Sequence, residues 1–149
     1  MSLTVVAAER TLVGSKLEDL VELDRVLLGE LGDRYSDEPW GPAEFLAEWP
    51  AKFEMSALAF VDGKLRGFWF ASRRKTGAHT HRVGVAHECR RGRMATELAG
   101  AVHDRARRLG ARWMTLYVHP DNAEALSFYR TLGYRCASYG NRLTLGRCL

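Results

Sequence analysis

The sequence predicts a single α/β domain spanning residues 1–149, in which a central mixed β-sheet is flanked by about four helices. Segments of strand and helix character follow one another in the order β-α-α-β-β-β-α-β-α-β, which is typical of a sheet with helices on its faces. No internal repeat, low-complexity stretch or linker divides the chain. At 149 residues it is also long enough to bury a hydrophobic core without disulfides or metal.

The first third of the chain predicts one strand, two helices and a loop. Residues 3–13 read as the first strand. Ser15 and Glu18 have the spacing of a capping box, which begins a helix. The core-facing positions of that helix are Leu17, Leu20, Val21, Asp24, Leu27 and Leu28. Glycine, proline and acidic residues mark 29–42 as a loop, and a second, short helix is expected over residues 43–53.

The remaining two thirds predict a hairpin followed by alternating strands and helices. Asp62-Gly63 lies between two β-rich runs, residues 56–61 and 64–70, and is a strong hairpin signal. After a basic turn at 73–77, residues 78–85 are expected to form the central strand. The elements that follow are a helix over 94–109 ended by Gly110, a strand over 113–118, a helix over 123–132 ended by Gly133, and a final strand within 134–145.

Composition excludes several classes of protein. No apolar run approaches the roughly 18 residues of a membrane span. The three cysteines, Cys89, Cys136 and Cys148, are odd in number and lack Cys-x-x-Cys spacing, which favours neither a disulfide framework nor a zinc site. His79-x-His81 offers two metal ligands at most, so no metal is expected. Because a signal peptide is not recognisable at residues 1–4, we expect a cytoplasmic location.

The turn at residues 90–95 is the first candidate binding element. A short strand, residues 83–86, leads into it, and a helix follows it. The free N–H groups and the dipole of a helix N-terminus attract anions, and arginine side chains add full positive charges. The net charge of +4 comes from local basic clusters at 90–93 and 105–112. Such clusters favour a phosphate-bearing small molecule over a nucleic acid, which needs an extended basic face.

Two blocks of sequence carry recognisable motifs. The first resembles V-x-P-x-x-[QR]-x-x-G-x-[GA] and runs from Val85 to Ala95, with Arg90 at the [QR] position. It departs from the pattern at His87, where proline is usual, and at Arg93, where the second glycine is usual. An alternative register takes Gly92 as the motif glycine. The second block matches L-x-V-x-x-x-N-x-x-A-x-x-x-Y-x-x-x-G-[FY] completely, at Leu116, Val118, Asn122, Ala125, Tyr129, Gly133 and Tyr134. In these two blocks the chain resembles the GNAT superfamily of acyl-CoA-dependent N-acetyltransferases.

The resemblance implies acetyl-CoA as cofactor and assigns residues to it. The backbone of the central strand would hold the pantetheine arm, and the following turn would hold the pyrophosphate. The implied cofactor-binding residues are Val83, Gly84, Val85, Arg90, Arg91, Gly92, Arg93, Met94, Ala95, Asn122 and Tyr129. Tyr129 would also be the general acid that protonates the departing thiolate, since a phenol pKa of about 10 suits that step. For Asn122 two roles remain open, cofactor contact or helix initiation.

The general base has no carboxylate candidate on the central strand. Simple alternation places His79, His81, Val83 and Val85 on one face of it. His81 is the candidate base, because an imidazole pKa near 6.5 suits proton transfer. His119 is the reserve candidate, and His87 and His103 are expected at the surface.

The loop over residues 29–42 is expected to cover the acceptor site, as the resemblance implies. Its candidate substrate-binding residues are Tyr35, Asp37 and Trp40, since carboxylates and aromatic rings both favour an ammonium group. The alternative is a solvated loop with packed aromatic rings. The expected activity is direct, ternary-complex transfer of acetyl to a small-molecule amine. Alternatives are a protein N-terminal or lysine acetyltransferase and a non-catalytic acyl-CoA-binding module. A homodimer is an expectation by analogy with the family.

Overall fold

The computed structural model describes residues 2–149, which form one seven-stranded mixed sheet of order β1-β2-β3-β4-β5-β7-β6. The strands are β1 (Leu3–Ala7), β2 (Ala57–Val61), β3 (Lys64–Arg74), β4 (Gly77–Val85), β5 (Trp113–Val118), β6 (Arg135–Ser138) and β7 (Leu143–Cys148). The α-helices are α1 (Arg10–Ser15), α2 (Leu17–Leu31), α3 (Pro42–Leu46), α4 (Lys52–Met55), α5 (Met94–Arg108) and α6 (Ala123–Thr131). Two 3₁₀ turns, Gly32–Arg34 and His87–Cys89, complete the fold.

The expected mixed sheet is confirmed, and the strand β7 lies between β5 and β6. Asp62 and Gly63 form the expected hairpin turn, with φ angles of 49° and 82°. Two positive φ values are what a tight two-residue hairpin requires, and Asp and Gly tolerate them. The expected final strand is in fact two strands, β6 and β7, which pair antiparallel.

The prediction of one long first strand followed by a capping box was wrong. Strand β1 ends at Ala7, and residues 10–15 already form the helix α1. Ser15 ends that helix instead of beginning one, because its hydroxyl donates to the carbonyl of Leu12 at 2.8 Å. Helix α2 then begins one residue after Lys16 without a side-chain cap.

The short helix expected over residues 43–53 is two helices separated by a break. Helix α3 ends at Leu46, and α4 begins at Lys52. Pro50 disfavours helical geometry at the residue before it. Ala51 takes a left-handed φ of 59°, which turns the chain into α4. Helix α3 packs with α2 on one face of the sheet, whereas α5 and α6 cover the other. Helix α4 lies between the two cores, with Phe53 on the α2 side and Met55 on the α5 side.

The strands β4 and β5 diverge, and this divergence positions the candidate site. They are parallel and pair only at Ala78 with Met114 and at His79 with Thr115. All other strand pairs of the sheet are antiparallel. Beyond His79 the two strands separate, and a cleft opens between their carboxyl ends. Within residues 2–149 no helix is long and apolar enough to cross a membrane.

Candidate active site

The cleft between β4 and β5 has a volume of about 1110 Å³. Its walls are the end of β4, the end of β5, the turn at 90–92, the loop at 33–40 and the start of α6. It therefore brings together the two motif blocks and the loop that the sequence analysis assigned to the acceptor. Of the predicted site residues, the side chains or backbone of all but Arg93 and Met94 line it.

The end of β4 presents unpaired backbone to the cleft. Residues 80–85 have no partner on β5, so on the side away from β3 their alternate N–H and C=O groups are not used by the sheet. Val83, Gly84 and Val85 all line the cleft, as predicted. Gly84 is needed for packing on the opposite side, because a Cβ there would come within 2.6 Å of side-chain atoms of both Leu27 and Phe68.

The turn before α5 presents a run of free amides. The N–H groups of residues 91–96 donate to no other group in the described chain, and α5 begins at Met94. Arg91 has a φ of 66°, so this arginine takes the left-handed conformation that reverses the chain. Free amides at the N-terminus of a 15-residue helix form a site for a polyanion such as a pyrophosphate. The residues present therefore fit the phosphate end of acetyl-CoA.

Arg93 takes the place of the usual glycine without backbone strain. Its φ and ψ are −82° and −13°, a right-handed helical conformation open to any residue. Its side chain is exposed and does not line the cleft, and the side chain of Met94 is buried in the core. The free backbone N–H groups are therefore what these two residues offer to a ligand at the turn.

Arg90 is turned toward the end of β4. Its Nε donates to the carbonyl of Val85 at 3.1 Å, and its Nη2 lies 3.7 Å from a carboxylate oxygen of Glu30. That Nη2 is buried and makes no hydrogen bond within residues 2–149. Arg90 therefore fixes the junction between β4 and the turn. Its positive charge lies at the start of the segment whose amides are free.

Tyr129 lies on α6 at the inner end of the cleft. Its side chain is 9% exposed and packs edge-on against Trp69 and Tyr134, with ring centroids 6.1 and 5.7 Å away. Its hydroxyl makes no hydrogen bond to another described residue. Burial raises the pKa of Tyr129 well above its ordinary value of 10. The phenol is therefore fully protonated at neutral pH and free to donate.

Asn122 is the N-cap of α6. Its Oδ1 accepts from the N–H of Ala125 at 3.2 Å, and its Nδ2 donates to the carbonyl of Arg34 at 3.2 Å. Of the two roles considered for this residue, helix initiation is the one these contacts provide. The second contact also ties α6 to the loop that follows α2.

His81 lies in a β-bulge that the sequence did not reveal. Strand β3 pairs Phe70 with Arg82 and Ala71 with Thr80, so His81 is an extra residue in β4. Both residues of a bulge can face the same side of a sheet. The predicted alternation is therefore wrong: Val83 packs with the core beneath α5, whereas His81 and Arg82 face α2 and α3.

His81 is neutral in this position. Its Nε2 lies 2.6 Å from the hydroxyl of Ser72, and its ring lies 4.3 Å from that of Trp49. Burial, aided by the positive charges nearby, lowers the pKa of His81 to about 3. The expectation from the sequence was an imidazole that titrates near pH 6.5. In the structure His81 does not titrate in that range. Its Nδ1 has no hydrogen-bond partner among residues 2–149.

Two other histidines differ in their surroundings. His103 is buried on α5, where its Nε2 lies 2.7 Å from the hydroxyl of Tyr134, so its expected surface position was wrong. The error arose because the apolar face of α5 is wide enough to include it. His119 lies 3.9 Å from a carboxylate oxygen of Asp33 and of Asp121, at the rim of the cleft.

The loop at 33–40 is attached to a buried ion pair that was not predicted from the sequence. Asp24 of α2 and Arg82 of β4 are 0% and 7% exposed at their side chains and lie 2.8 Å apart. The hydroxyl of Tyr35 donates to Asp24 at 2.5 Å, and the backbone N–H of Trp40 donates to it at 2.8 Å. An aspartate on an otherwise leucine-rich helix face was a signal that a buried carboxylate needs a partner, but it did not indicate which residue that partner is.

The three predicted substrate residues of this loop differ in what they can offer a ligand. The ring of Trp40 packs against Phe45, and the hydroxyl of Tyr35 is already bonded to Asp24. Asp37 is exposed and pairs with Arg142 across the mouth of the cleft. The loop is therefore packed and also lines the cleft. Its aromatic rings form part of the cleft wall.

Lys52, at the start of α4, packs against the aromatic residues beside this loop. Its ammonium is buried and donates to the carbonyls of Glu44, Phe45 and Ala47 at 2.7–3.1 Å. It also lies 4.5 Å from the ring centroid of Trp49. Burial lowers the pKa of Lys52 to about 8. This contact closes the end of α3 and holds it against the cleft wall.

Among residues 2–149 no three His, Cys, Asp or Glu side chains come together as metal ligands.

The sequence matches the model of the acetyltransferase (GNAT) family over residues 19–134. The chain belongs to this family. It is therefore an acyltransferase, and acetyl-CoA is the cofactor of the family. The resemblance identified from the two motif blocks and the fold expected from them are both confirmed.

Solved structures share the whole fold. PaiA N-acetyltransferase from Thermoplasma acidophilum, in complex with coenzyme A, superposes with a TM-score of 0.77 at 20% identity, covering 100% of both chains. Ard1 from Thermoplasma volcanium gives 0.81 at 21%, covering 100% of this chain and 99% of that one. The ribosomal-protein-S18-alanine N-acetyltransferase from Escherichia coli gives 0.75 at 18%, covering 99% and 93%. At these identities the similarity shows the fold.

Proposed function

We propose that the protein transfers an acetyl group from acetyl-CoA directly to a primary amine of a small molecule, with both bound in the cleft at once. The observation that supports this most strongly is the arrangement of the cleft. Free amides, a protonated tyrosine and an acid-rich loop all line one continuous cleft. Donor and acceptor can therefore occupy one space without a covalent acyl-enzyme stage.

The cofactor would be held mainly by backbone. The unpaired groups of Val83 to Val85 would hydrogen-bond the pantetheine arm, and the free amides of residues 91–96 would hold the pyrophosphate. Asn122 keeps the start of α6 in place beside them. When bound, acetyl-CoA supplies an activated acetyl thioester. The chain's contribution is to orient that group and to supply and accept protons.

Tyr129 is the proposed proton donor. Its hydroxyl holds its proton throughout the neutral pH range because burial disfavours the phenolate. The same hydroxyl has no other partner in the described chain, so it can turn toward a ligand in the cleft. A positioned general acid of this kind contributes typically 10²- to 10⁴-fold to a rate.

His81 is proposed as a hydrogen-bond acceptor for the amine and not as a base that keeps its proton. Since its pKa is about 3, the ring is neutral above about pH 4, and in the tautomer whose Nε2–H donates to Ser72 the free Nδ1 can accept a hydrogen bond. Such a weak base cannot take a proton fully from an ammonium group. We therefore propose that His81 orients the free amine or a water molecule, and that the proton lost by the amine nitrogen passes to water. Tyr129 protonates the departing thiolate and regains its proton from water. Loss of activity at acidic pH then reports the amine of the substrate.

The loop at 33–40 favours a positively charged acceptor. Asp33, Asp37 and Glu38 line the acceptor end of the cleft, and Arg82 is neutralised by its buried contact with Asp24. Arg142 offsets the charge of Asp37. Arg34 of the same loop offsets one of the two remaining carboxylates, so the loop keeps a net negative charge, which favours an ammonium group over a carboxylate.

The acceptor class can be tested with amines of equal chain length. Hexylamine, 1,6-diaminohexane and 6-aminohexanoate carry one amine, two amines, and an amine with a carboxylate. We expect release of the CoA thiol, and a product heavier by one acetyl group, with the first two and little with the third. Two peptides, one with a free N-terminus and one with a blocked N-terminus and an internal lysine, complete the panel. Faster turnover of either peptide would replace the small-molecule proposal with a protein acceptor.

A further inference from the structure

The ion pair between Asp24 and Arg82 is a two-point contact deep behind the acceptor loop. Arg82 Nε donates to Asp24 Oδ1 at 2.9 Å, and Arg82 Nη2 donates to Oδ2 at 2.8 Å. Such bidentate pairing fixes the orientation of both groups. One partner belongs to α2 and the other to β4, so the pair joins two rigid elements.

The same two side chains hold the loop through four hydrogen bonds. Two loop groups donate to Asp24, and Arg82 donates to two loop acceptors. The contacts are Tyr35 Oη to Asp24 Oδ1 at 2.5 Å, Trp40 N to Asp24 Oδ2 at 2.8 Å, Arg82 Nη1 to Ser36 Oγ at 2.5 Å, and Arg82 Nη2 to the carbonyl of Glu38 at 2.9 Å. The guanidinium also lies 4.7 Å from the ring centroid of Tyr35. The pair is thus the anchor of residues 35–40.

The position of Arg82 in the chain connects this anchor to the cofactor side of the cleft. Arg82 immediately precedes Val83, whose backbone lines the cleft. The bulge at His81 turns Arg82 toward α2 and leaves Val83 on the opposite face. One short stretch of β4 therefore sets both the cofactor-facing backbone and the acceptor-facing loop.

We propose that Asp24 and Arg82 are positioning residues that hold the loop at 35–40 in the conformation that binds the acceptor amine. This inference rests on the proposed function, because it concerns the acceptor end of the same cleft. Asp24 does not line the cleft, and the guanidinium of Arg82, which does, is already bonded to Asp24, Ser36 and the carbonyl of Glu38. When a binding-competent conformation is only partly populated, the apparent dissociation constant rises by the inverse of its population. Loosening the loop therefore raises the KM for the amine and leaves kcat nearly unchanged.

Two variants weaken the anchor without removing a buried charge. Tyr35→Phe deletes only the hydroxyl that donates to Asp24. Arg82→Lys keeps the positive charge but loses the bidentate guanidinium contact with Asp24. A hydrogen bond to a charged group corresponds to about a tenfold change in an equilibrium. We therefore expect each variant to raise the KM for hexylamine or 1,6-diaminohexane about tenfold. The dissociation constant of acetyl-CoA should stay within about twofold of wild type. Tyr139→Phe, at a residue 85% exposed, is the matched control.

Hydrogen exchange gives a readout that does not depend on any amine. Peptides covering residues 33–40 should exchange faster in Tyr35→Phe and Arg82→Lys, and at the wild-type rate in Tyr139→Phe. The proposal is overturned if exchange and the KM for the amine match wild type in both variants, or if acetyl-CoA affinity falls in parallel with the amine KM. If wild type acetylates no amine, the proposed function fails, and faster loop exchange would still show that the pair anchors the loop.

Discussion

The buried histidine His103 predicts a pH dependence of stability whose size follows from the structure. Its ring is 4% exposed, and burial, with Arg147 and Arg107 nearby, lowers its pKa to about 4. In the unfolded chain the pKa is about 6.5. Below pH 6.5 the unfolded state therefore binds a proton that the folded state does not. Stability falls as the pH drops from about 6.5 toward about 4, and is fully present above that window.

The magnitude between two accessible pH values depends little on the folded pKa. At pH 5.5 an unfolded histidine is mostly charged and the folded one is neutral, so this residue alone lowers the free energy of unfolding by about 1.3 kcal/mol relative to pH 7.5. His103→Gln should remove this increment. His79 and His81 act in the same direction, since burial lowers their pKa values to about 4 and about 3.

Urea unfolding followed by tryptophan fluorescence at pH 7.5 and 5.5 measures the effect. The loss of unfolding free energy on acidification should be about 1.3 kcal/mol smaller in His103→Gln than in wild type. Comparing the two losses cancels any destabilisation that is independent of pH. Tyr134→Phe is the matched control, because it removes the same hydrogen bond but keeps the buried imidazole. An unchanged pH dependence in His103→Gln would refute the reasoning.

Three further substitutions test other parts of the account. Tyr129→Phe should lower kcat about 10²-fold with acetyl-CoA binding unchanged, measured by CoA release and calorimetry; full activity would remove Tyr129 as the acid. Gly77→Ala should lower the unfolding free energy by about 1–3 kcal/mol, because its Cβ would lie 2.1 Å from the Trp113 ring; wild-type stability in urea would contradict this packing. Asn122→Ala should cost about 1 kcal/mol by the same assay, and no loss would mean that the cap is dispensable.

The sequence predicted best what depends on neighbouring residues. The Asp62-Gly63 turn, the helix after residue 93, and the strand and helix of the second motif are local patterns, and each appears in the structure within a residue or two of its expected bounds. The second strand of the hairpin continues four residues further than expected, to Arg74. The divergence of β4 and β5, which creates the cleft, was not predicted, because no local pattern in either strand indicates where their pairing ends.

The features that sequence could not predict arise from contacts between distant residues. Asp24 and Arg82 are 58 positions apart, and nothing in either segment indicates its partner. The bulge at His81 changes the face of one residue and so reverses the alternation that was expected beyond it. His103 is a polar residue and was therefore expected at the surface, yet it lies on a wide apolar face of α5 and is buried there. In each case tertiary packing, not local propensity, decides the outcome.

Binding of acetyl-CoA is a direct test of the proposed cofactor site, because it requires no knowledge of the acceptor. Thermal unfolding is measured with and without the cofactor, and with adenosine alone as the comparison. At about 100 times its dissociation constant a ligand adds roughly 2.7 kcal/mol, which is a shift on the order of 5–10 °C for a domain of this size. The account predicts that shift with acetyl-CoA and none with adenosine. No shift with acetyl-CoA would contradict the assignment of the free amides at residues 91–96 as the pyrophosphate site.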